Sequence, residues 1–330
     1  NILSKVYKYH MKILAVQNRM GIGDTIIFLP FIKALYKKFN SPISLLVKES
    51  SKANQYLHQT EYIDKILFLE RDNKNNNRHG GFFGSINLIK DLKKHNFDKV
   101  FIFNSSLRFY FISKFSGISE SYQYPLFQKN RQHITNTPRK FIKDKLDLEV
   151  NEDPEIQIDD KLNSKLIEKL QINKNKMNIL LGVGGSGPTK RIPAKTFLSL
   201  IDKISNIQKC KFFLAAGKNN EEQNIIKEIL ESKYKNLCVP LDNFSIKETL
   251  PIIKCCNLSV CNDSSFSHLS AALGIKTITL MADTPLIYGS YSSKMFPVIP
   301  DGEKTVVHNT LGKEKINPQK IFDKIIEIVN

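Results

Sequence analysis

The sequence runs to 330 residues, 41% of them hydrophobic, enough for two domains that each bury a core of their own. No apolar run approaches the roughly 20 residues that span a bilayer, and residues 1–10 carry Lys5 and Lys8 without an apolar segment, so neither a membrane helix nor a secretory signal is expected and Met11 reads as an alternative start. The formal charge of +17 is uneven: residues 1–150 hold 25 Lys and Arg against 12 Asp and Glu, residues 151–330 hold 24 against 20. Such a basic half serves solubility or meets an anionic partner, a membrane surface or a phosphorylated glycolipid. All five cysteines fall in the second half, odd in number and without a C-x-x-C pair. That excludes a disulfide framework and a zinc site; buried thiols in a reducing cytoplasm are expected instead.

In chain order, Lys12–Gln17 reads as an apolar strand, followed by the glycine turn Gly21-Ile22-Gly23-Asp24 and by helical periodicity over Thr25–Phe39, with Pro30 in its early turns. Ser44–Val47, Lys65–Leu69 and Lys99–Phe103 are further short apolar runs, with a helix over Gly84–His95 between the last two. Arg71–Gly81 is polar and ends on two glycines, which predicts a loop. Alternation of this kind implies a parallel sheet with helices on both faces. Residues 149–160 turn acidic around Pro154, which places a domain boundary at 155/156.

The pattern then restarts. Asn178–Val183 is a strand leading to a glycine-rich turn and a helix over Lys195–Ser205. Lys211–Ala216 is a strand closing on Gly217, with helices over Glu221–Ser232 and Ile246–Lys254. Asn257–Cys261 is a buried strand, Ser267–Leu273 a short helix stopped at Gly274, and Lys276–Met281 the next strand. A terminal amphipathic helix over 318–330 starts on Pro318 and is a candidate to pack back on the first domain. The fold class is therefore α/β, with two Rossmann-like domains, 1–155 and 156–330.

Three turns carry chemistry. Asp24, after a glycine turn that lets backbone approach a ligand closely, reads first as a cap of the helix that it opens; Gly21-Ile22-Gly23 lacks the third glycine of a dinucleotide fingerprint. Gly184, Gly185, Ser186 and Gly187 form a turn whose N–H groups suit phosphate oxygens, and Lys190 adds a full charge beside it. A lysine there would offset charge developing on a leaving diphosphate; alternatively it is an exposed turn lysine with little packing. Asp263, Ser264, Ser265 and His268 crowd a strand-to-helix turn, the place where open α/β sheets bind ligands. They either hold a ligand or merely cap and pack. No Asp-x-Asp triplet occurs, so no metal-held diphosphate is indicated.

Asp263-Ser264-Ser265-Phe266-Ser267-His268-Leu269-Ser270-Ala271-Ala272-Leu273-Gly274 resembles the D-[TS]-G-x-x-H-L-A-A-A-L-G signature of the bacterial heptosyltransferase family, glycosyltransferase family nine. Met11–Gln17 with Gly21-Ile22-Gly23-Asp24 resembles that family's opening strand and G-x-G-D turn, and Gly184–Pro193 its G-x-x-x-x-x-K-x-W-P segment, in the same order along the chain. Ile192 stands where the family has Trp, and Ser265 where it has Gly.

The resemblance implies a GT-B fold, two Rossmann-like domains facing a central cleft, and an inverting, metal-independent glycosyltransferase without a cofactor. It implies Asp24, next to Gly23, as general base and Lys190 as the diphosphate ligand. Asp263 would hold sugar hydroxyls, Ser264 and Ser265 the diphosphate or sugar, and His268 would lie near the phosphates. The turn Ala216–Glu221 would meet the nucleotide ribose, with Asn219 at a place where the family often has an acid and Glu221 as its substitute. Phe244 aligns with a residue that packs on the base. The expected partners are an ADP-heptose-like donor and an anionic glycolipid acceptor, the lipopolysaccharide core. The protein would be cytoplasmic with a peripheral inner-leaflet contact through the Arg71–Gly81 loop, Arg131, Arg139 and Lys140. Another transferase of the same fold, a nucleotide-sugar epimerase and a basic nucleic-acid-binding protein are the alternatives; the last lacks any aromatic-interleaved basic motif, so no nucleic acid is expected.

Overall fold

The computed structural model describes residues 11–71, 77–128, 132–159 and 175–329, together with 167, 168, 170, 172 and 173. Residues 1–10, 72–76 of the polar loop, and Arg131 lie outside the described residues. The chain divides into two compact units, Asn1–Glu152 and Asp153–Asn330. The division falls three residues ahead of the boundary expected from the acidic stretch, and side chains explain it. Glu152 accepts from Lys37 within the first unit, whereas Asp153 accepts from the Ser293 backbone N–H at 2.9 Å and Ile156 N–H donates to Ala272 O at 2.9 Å within the second.

The first unit holds strands β1 (Ile13–Val16), β2 (Ile43–Lys48), β3 (Ile63–Leu69), β4 (Lys99–Ile102) and β5 (Glu120–Gln123) in one parallel sheet of order β3-β2-β1-β4-β5. The central strands β1 and β4 are buried along their whole length, as expected for strands covered on both faces. Helices α1 (Ile22–Phe39) and α4 (Asn136–Leu146) pack together. Phe28 of α1, Phe103 after β4 and Phe141 of α4 meet edge to face, with ring centroids 5.4 and 5.5 Å apart. Helices α2 (Gly81–Lys93) and α3 (Leu107–Phe115) also pack side by side, and bury Leu88, Leu92, Phe109 and Ile112 against Leu14, Val100 and Ile102. Pro30 sits mid-way along α1 rather than in its early turns. It removes one N–H from the ladder, and its ring is spent in the core.

The second unit has six parallel strands, β6 (Met177–Gly182), β7 (Cys210–Ala215), β8 (Cys238–Pro240), β9 (Leu258–Asn262), β10 (Thr277–Leu280) and β11 (Met295–Val298), in the order β11-β10-β9-β6-β7-β8. Helices α5 (Ala194–Ser205), α6 (Asn220–Leu230), α7 (Ile246–Lys254), α8 (Ser265–Ala272) and α9 (Pro318–Val329) surround it. The apolar face of the terminal helix α9 is buried within its own unit. Ile321, Ile325 and Ile328, on one face at helical spacing, are buried in the second unit's own core with Ile201, Leu280 and Val298. Ile192 is fully buried in the same core, so the residue standing at the family's Trp position does packing work. Cys210, Cys238, Cys256 and Cys261 are buried free thiols; Cys255 is half-buried. Burial pushes the Cys238 and Cys261 thiols up to about 12, away from thiolate chemistry.

Candidate active site

Strands β6 and β9 are hydrogen-bonded neighbours with Gly182 opposite Cys261. The turns that follow them, 183–191 and 263–264, therefore emerge together at the carboxyl edge of the sheet. Asn262, fully buried, bridges the two by donating its side-chain N–H to Val183 O at 2.8 Å. Two segments more than seventy residues apart in sequence meet here. Lys190 Nζ lies 2.7 Å from Asp263 Oδ2, and His268 Nε2 lies 3.9 Å from the other oxygen. His268 Nδ1 lies 2.8 Å from the Tyr291 hydroxyl, with the two rings stacked.

Asp263 is 5% exposed. Burial opposes its charge, but Lys190 and then His268 prevail and hold its carboxyl below the ordinary carboxylate value. Burial pushes the Tyr291 hydroxyl well above its ordinary value, with Asp263 and Asp153 adding to the effect, so it stays protonated. Ser264 occupies the N-cap position of α8 without a side-chain capping bond, and its Oγ is buried with no hydrogen-bond partner. A buried hydroxyl left unpaired costs about 1–3 kcal/mol, which a ligand oxygen at the helix start would recover.

One amide of the glycine turn is already committed within the protein. Gly185 N–H donates to Glu222 Oε1 at 3.2 Å, and Gly217 N–H donates to the other oxygen of the same carboxylate. A Cβ at Gly184 would fall 2.5 Å from Glu222 Oε2, and one at Gly217 2.8 Å from it. These glycines therefore make room for a buried carboxylate of the protein itself. The Gly185 amide is not held out for a phosphate, because a fixed internal anion already occupies it. Arg191 completes the arrangement: its Nε donates to Gly185 O at 3.0 Å, and its Nη1 pairs with Glu221. Glu222→Gln would leave one of the two N–H donors facing an amide N–H₂ instead of an oxygen. A melting-temperature drop corresponding to about 1–3 kcal/mol is expected; an unchanged melting curve would show that the turn is held by Arg191 alone.

Residues 86–296 match the model of glycosyltransferase family 9 (heptosyltransferase). The chain belongs to that family. It is 27% identical over 325 residues to lipopolysaccharide heptosyltransferase 1 of Campylobacter coli, covering 88% of this chain and 90% of the relative. Among solved structures, the family 9 glycosyl transferase of Veillonella parvula superposes with a TM-score of 0.79 at 15% identity, covering 96% of both chains. The E. coli ADP-heptose lps heptosyltransferase II superposes with a TM-score of 0.71 at 16% identity, over 96% of this chain and 98% of that one. These likenesses make the fold GT-B.

In this glycosyltransferase the predicted residues of the second unit fall along one sheet edge. Gly184, Gly185, Ser186 and Lys190 follow β6; Asn219 follows β7; Phe244 follows β8; Asp263, Ser264, Ser265 and His268 follow β9. Besides Gly185, two more of them already have partners within the protein. The Asn219 side chain caps α6 by accepting from Glu222 N–H at 3.0 Å, so Asn219 reaches the site through Glu222. Lys190 is no loose surface lysine, its side chain being 23% exposed and bound to Asp263. Gly23 and Asp24 belong to the first unit, at the start of α1, where Asp24 Oδ2 accepts from Gly21 N–H at 3.1 Å.

Glu222, Tyr291 and Asp283 were not singled out by sequence reasoning. Asp283, just past β10, accepts from Leu311 N–H at 2.9 Å. Burial works against its charge, but Leu311 and the Thr189 hydroxyl of the Lys190 turn hold it ionised. Glu222 did have a signal: Asn219-x-x-Glu222 is a capping-box spacing at a helix start. Tyr291 had none, because only tertiary packing brings it to His268.

Proposed function

We propose that this family 9 enzyme moves a heptose from an ADP-heptose-like donor to the lipopolysaccharide core, with inversion and without a metal ion. The donor and acceptor classes rest on the names of the E. coli and Campylobacter proteins that it resembles. The observation that carries the reading is the Lys190–Asp263 pair at 2.7 Å, beside the unpartnered Ser264 hydroxyl at a helix start. A cation, a free hydroxyl donor and helix N–H groups suit a diphosphate.

In the step proposed, an acceptor hydroxyl oxygen attacks the anomeric carbon and its proton passes to Asp24. The bond from that carbon to the β-phosphate oxygen breaks, and the nucleoside diphosphate leaves with the electron pair. Lys190 stabilises the charge developing there, while Asp263 orients Lys190 and the sugar hydroxyls. His268, fixed by Tyr291, faces the same carboxylate. Phe244 and Glu221 are the proposed contacts to base and ribose. Among the described residues no helix is long and apolar enough to cross a membrane, and a peripheral contact of the basic first unit with the inner leaflet is part of the proposal.

A thermal-shift series with nucleoside diphosphate sugars tests the donor. At a hundred times Kd a ligand stabilises by about 2.7 kcal/mol, so ADP-heptose should raise the melting temperature by several degrees. No shift with any nucleotide sugar would sink the reading. Isomerisation of a nucleotide sugar in the absence of any acceptor would replace it with an epimerase.

A further inference from the structure

Helix α3 is apolar on two faces. Phe109 and Ile112 go to the core, whereas Leu107, Tyr110, Phe111 and Phe115, spaced i, i+3, i+4 and i+8, are exposed. Phe115 is 62% exposed, and its ring stacks on Phe111 rather than on anything that would cover it. Helix α2 packs beside it, with Phe82 and Phe83 each 78% exposed. Arg108 Nε donates to Ser85 Oγ at 2.8 Å, which joins the two aromatic groups into one surface. Along α3 the charges are of one sign. From Lys99 to Ser119 the chain contains no Asp or Glu, and Lys114 is exposed with its ammonium over the Tyr110 ring. Asp91, the acid within α2, is already paired with Arg78 and Lys94.

We infer that this α2–α3 face is the membrane-docking surface, and that its occupant is the headgroup and upper acyl region of an anionic bilayer. Contiguous exposed aromatics are costly unless covered, and aromatic side chains flanked by lysines are what an anionic lipid interface accepts. Position supports this. α1 and α3 leave the carboxyl ends of the adjacent parallel strands β1 and β4, so Leu107 and Asp24 open helices at the same edge of the sheet. A bilayer on the α3 face would present a glycolipid hydroxyl near the Asp24 edge. The inference rests on the proposed glycolipid acceptor and puts the contact on aromatic residues of α2 and α3, beside the Arg71–Gly81 loop and not on the basic residues expected from the sequence. Of those, Arg78 is paired with Asp91, and Arg139 Nε donates to Val150 O at 3.3 Å.

The chain contains no tryptophan, so Phe111→Trp in the full protein provides a single reporter. With vesicles of phosphatidylglycerol and phosphatidylethanolamine its emission should shift to the blue and be quenched by bromine-labelled acyl chains. Ile207→Trp, at an exposed site of the second unit, should not respond. Phe111→Ser with Phe115→Ser should lower vesicle sedimentation about tenfold or more while the donor-induced melting shift is retained. An unresponsive Phe111→Trp reporter, or unchanged sedimentation of the serine variant with the donor shift intact, overturns the surface and leaves the transferase reading standing. A blue shift that grows with protein concentration in the absence of lipid also overturns it, in favour of self-association.

Discussion

Lys190→Ala should lower the transfer rate by about a hundredfold or more, the scale for removing one strong electrostatic contact from a transition state. It should also lower the melting temperature. An exposed turn lysine would have been removable without harm, but this one neutralises a carboxylate that is only 5% exposed. Removing one partner of a fully buried pair costs about 3–5 kcal/mol. Lys190 keeps 23% of its side chain in solvent, so a smaller cost, about 1–3 kcal/mol, is expected. Lys190→Ala combined with Asp263→Asn should recover much of the stability and none of the activity. A double variant no more stable than the single one would mean that the pair does not carry the effect.

The pH dependence gives a second check. In the native protein Lys190 and His268 hold Asp263 below the ordinary carboxylate value. A group with a depressed folded pKa contributes stability above its unfolded pKa, about 3.9, and loses it as pH falls through the folded value. In Lys190→Ala, burial acts with less opposition, and the folded pKa rises. The variant's penalty is then largest near neutrality and shrinks as acid neutralises the buried carboxylate. The two melting curves should converge between pH 7 and pH 4; a gap constant over that range would place the lost stability in packing.

The strands that a sequence shows most clearly are those whose residues are largely apolar. β1, β4, β6, β7, β9 and β10 are covered on both faces, so apolar runs mark them to within a residue or two. β5, Glu-Ser-Tyr-Gln, is half exposed at a sheet edge and has no such run. β8 and β11 are also edges, short and with proline within them. Helix α3 escaped because its apolar residues occupy both faces and leave little amphipathic contrast. The site divides similarly. The turns after β1, β6 and β9 announce themselves by glycine, hydroxyl and acid content. Their contacts do not, since a glycine that spares a phosphate and one that spares Glu222 look the same in sequence. That is why the commitment of the Gly185 amide to Glu222, and of Lys190 to Asp263, could not be read from the turn's composition.

Asp24→Asn is expected to separate the two roles that its position allows. Asp24 is the third residue of α1, and its Oδ2 accepts from Gly21 N–H at 3.1 Å, closing the turn after β1. Asparagine retains an oxygen that can accept the same bond. It loses only the favourable meeting of a negative charge with the helix start, about 0.3–1 kcal/mol. For a protein of this size that is a melting-temperature change of about 2–4 °C at most. Proton transfer is different, because an amide oxygen is far too weak a base to take a proton from an acceptor hydroxyl. General-base catalysis is typically worth about 10²–10⁴-fold, and turnover should fall by that factor with donor affinity unchanged. The donor's thermal shift measured on the variant separates lost chemistry from lost binding. Raising the pH should not restore the rate, because no carboxylate remains to be deprotonated. If turnover instead survives within a few-fold and only the melting temperature falls, Asp24 is a helix cap and the base must be sought elsewhere along the carboxyl edge of the sheet.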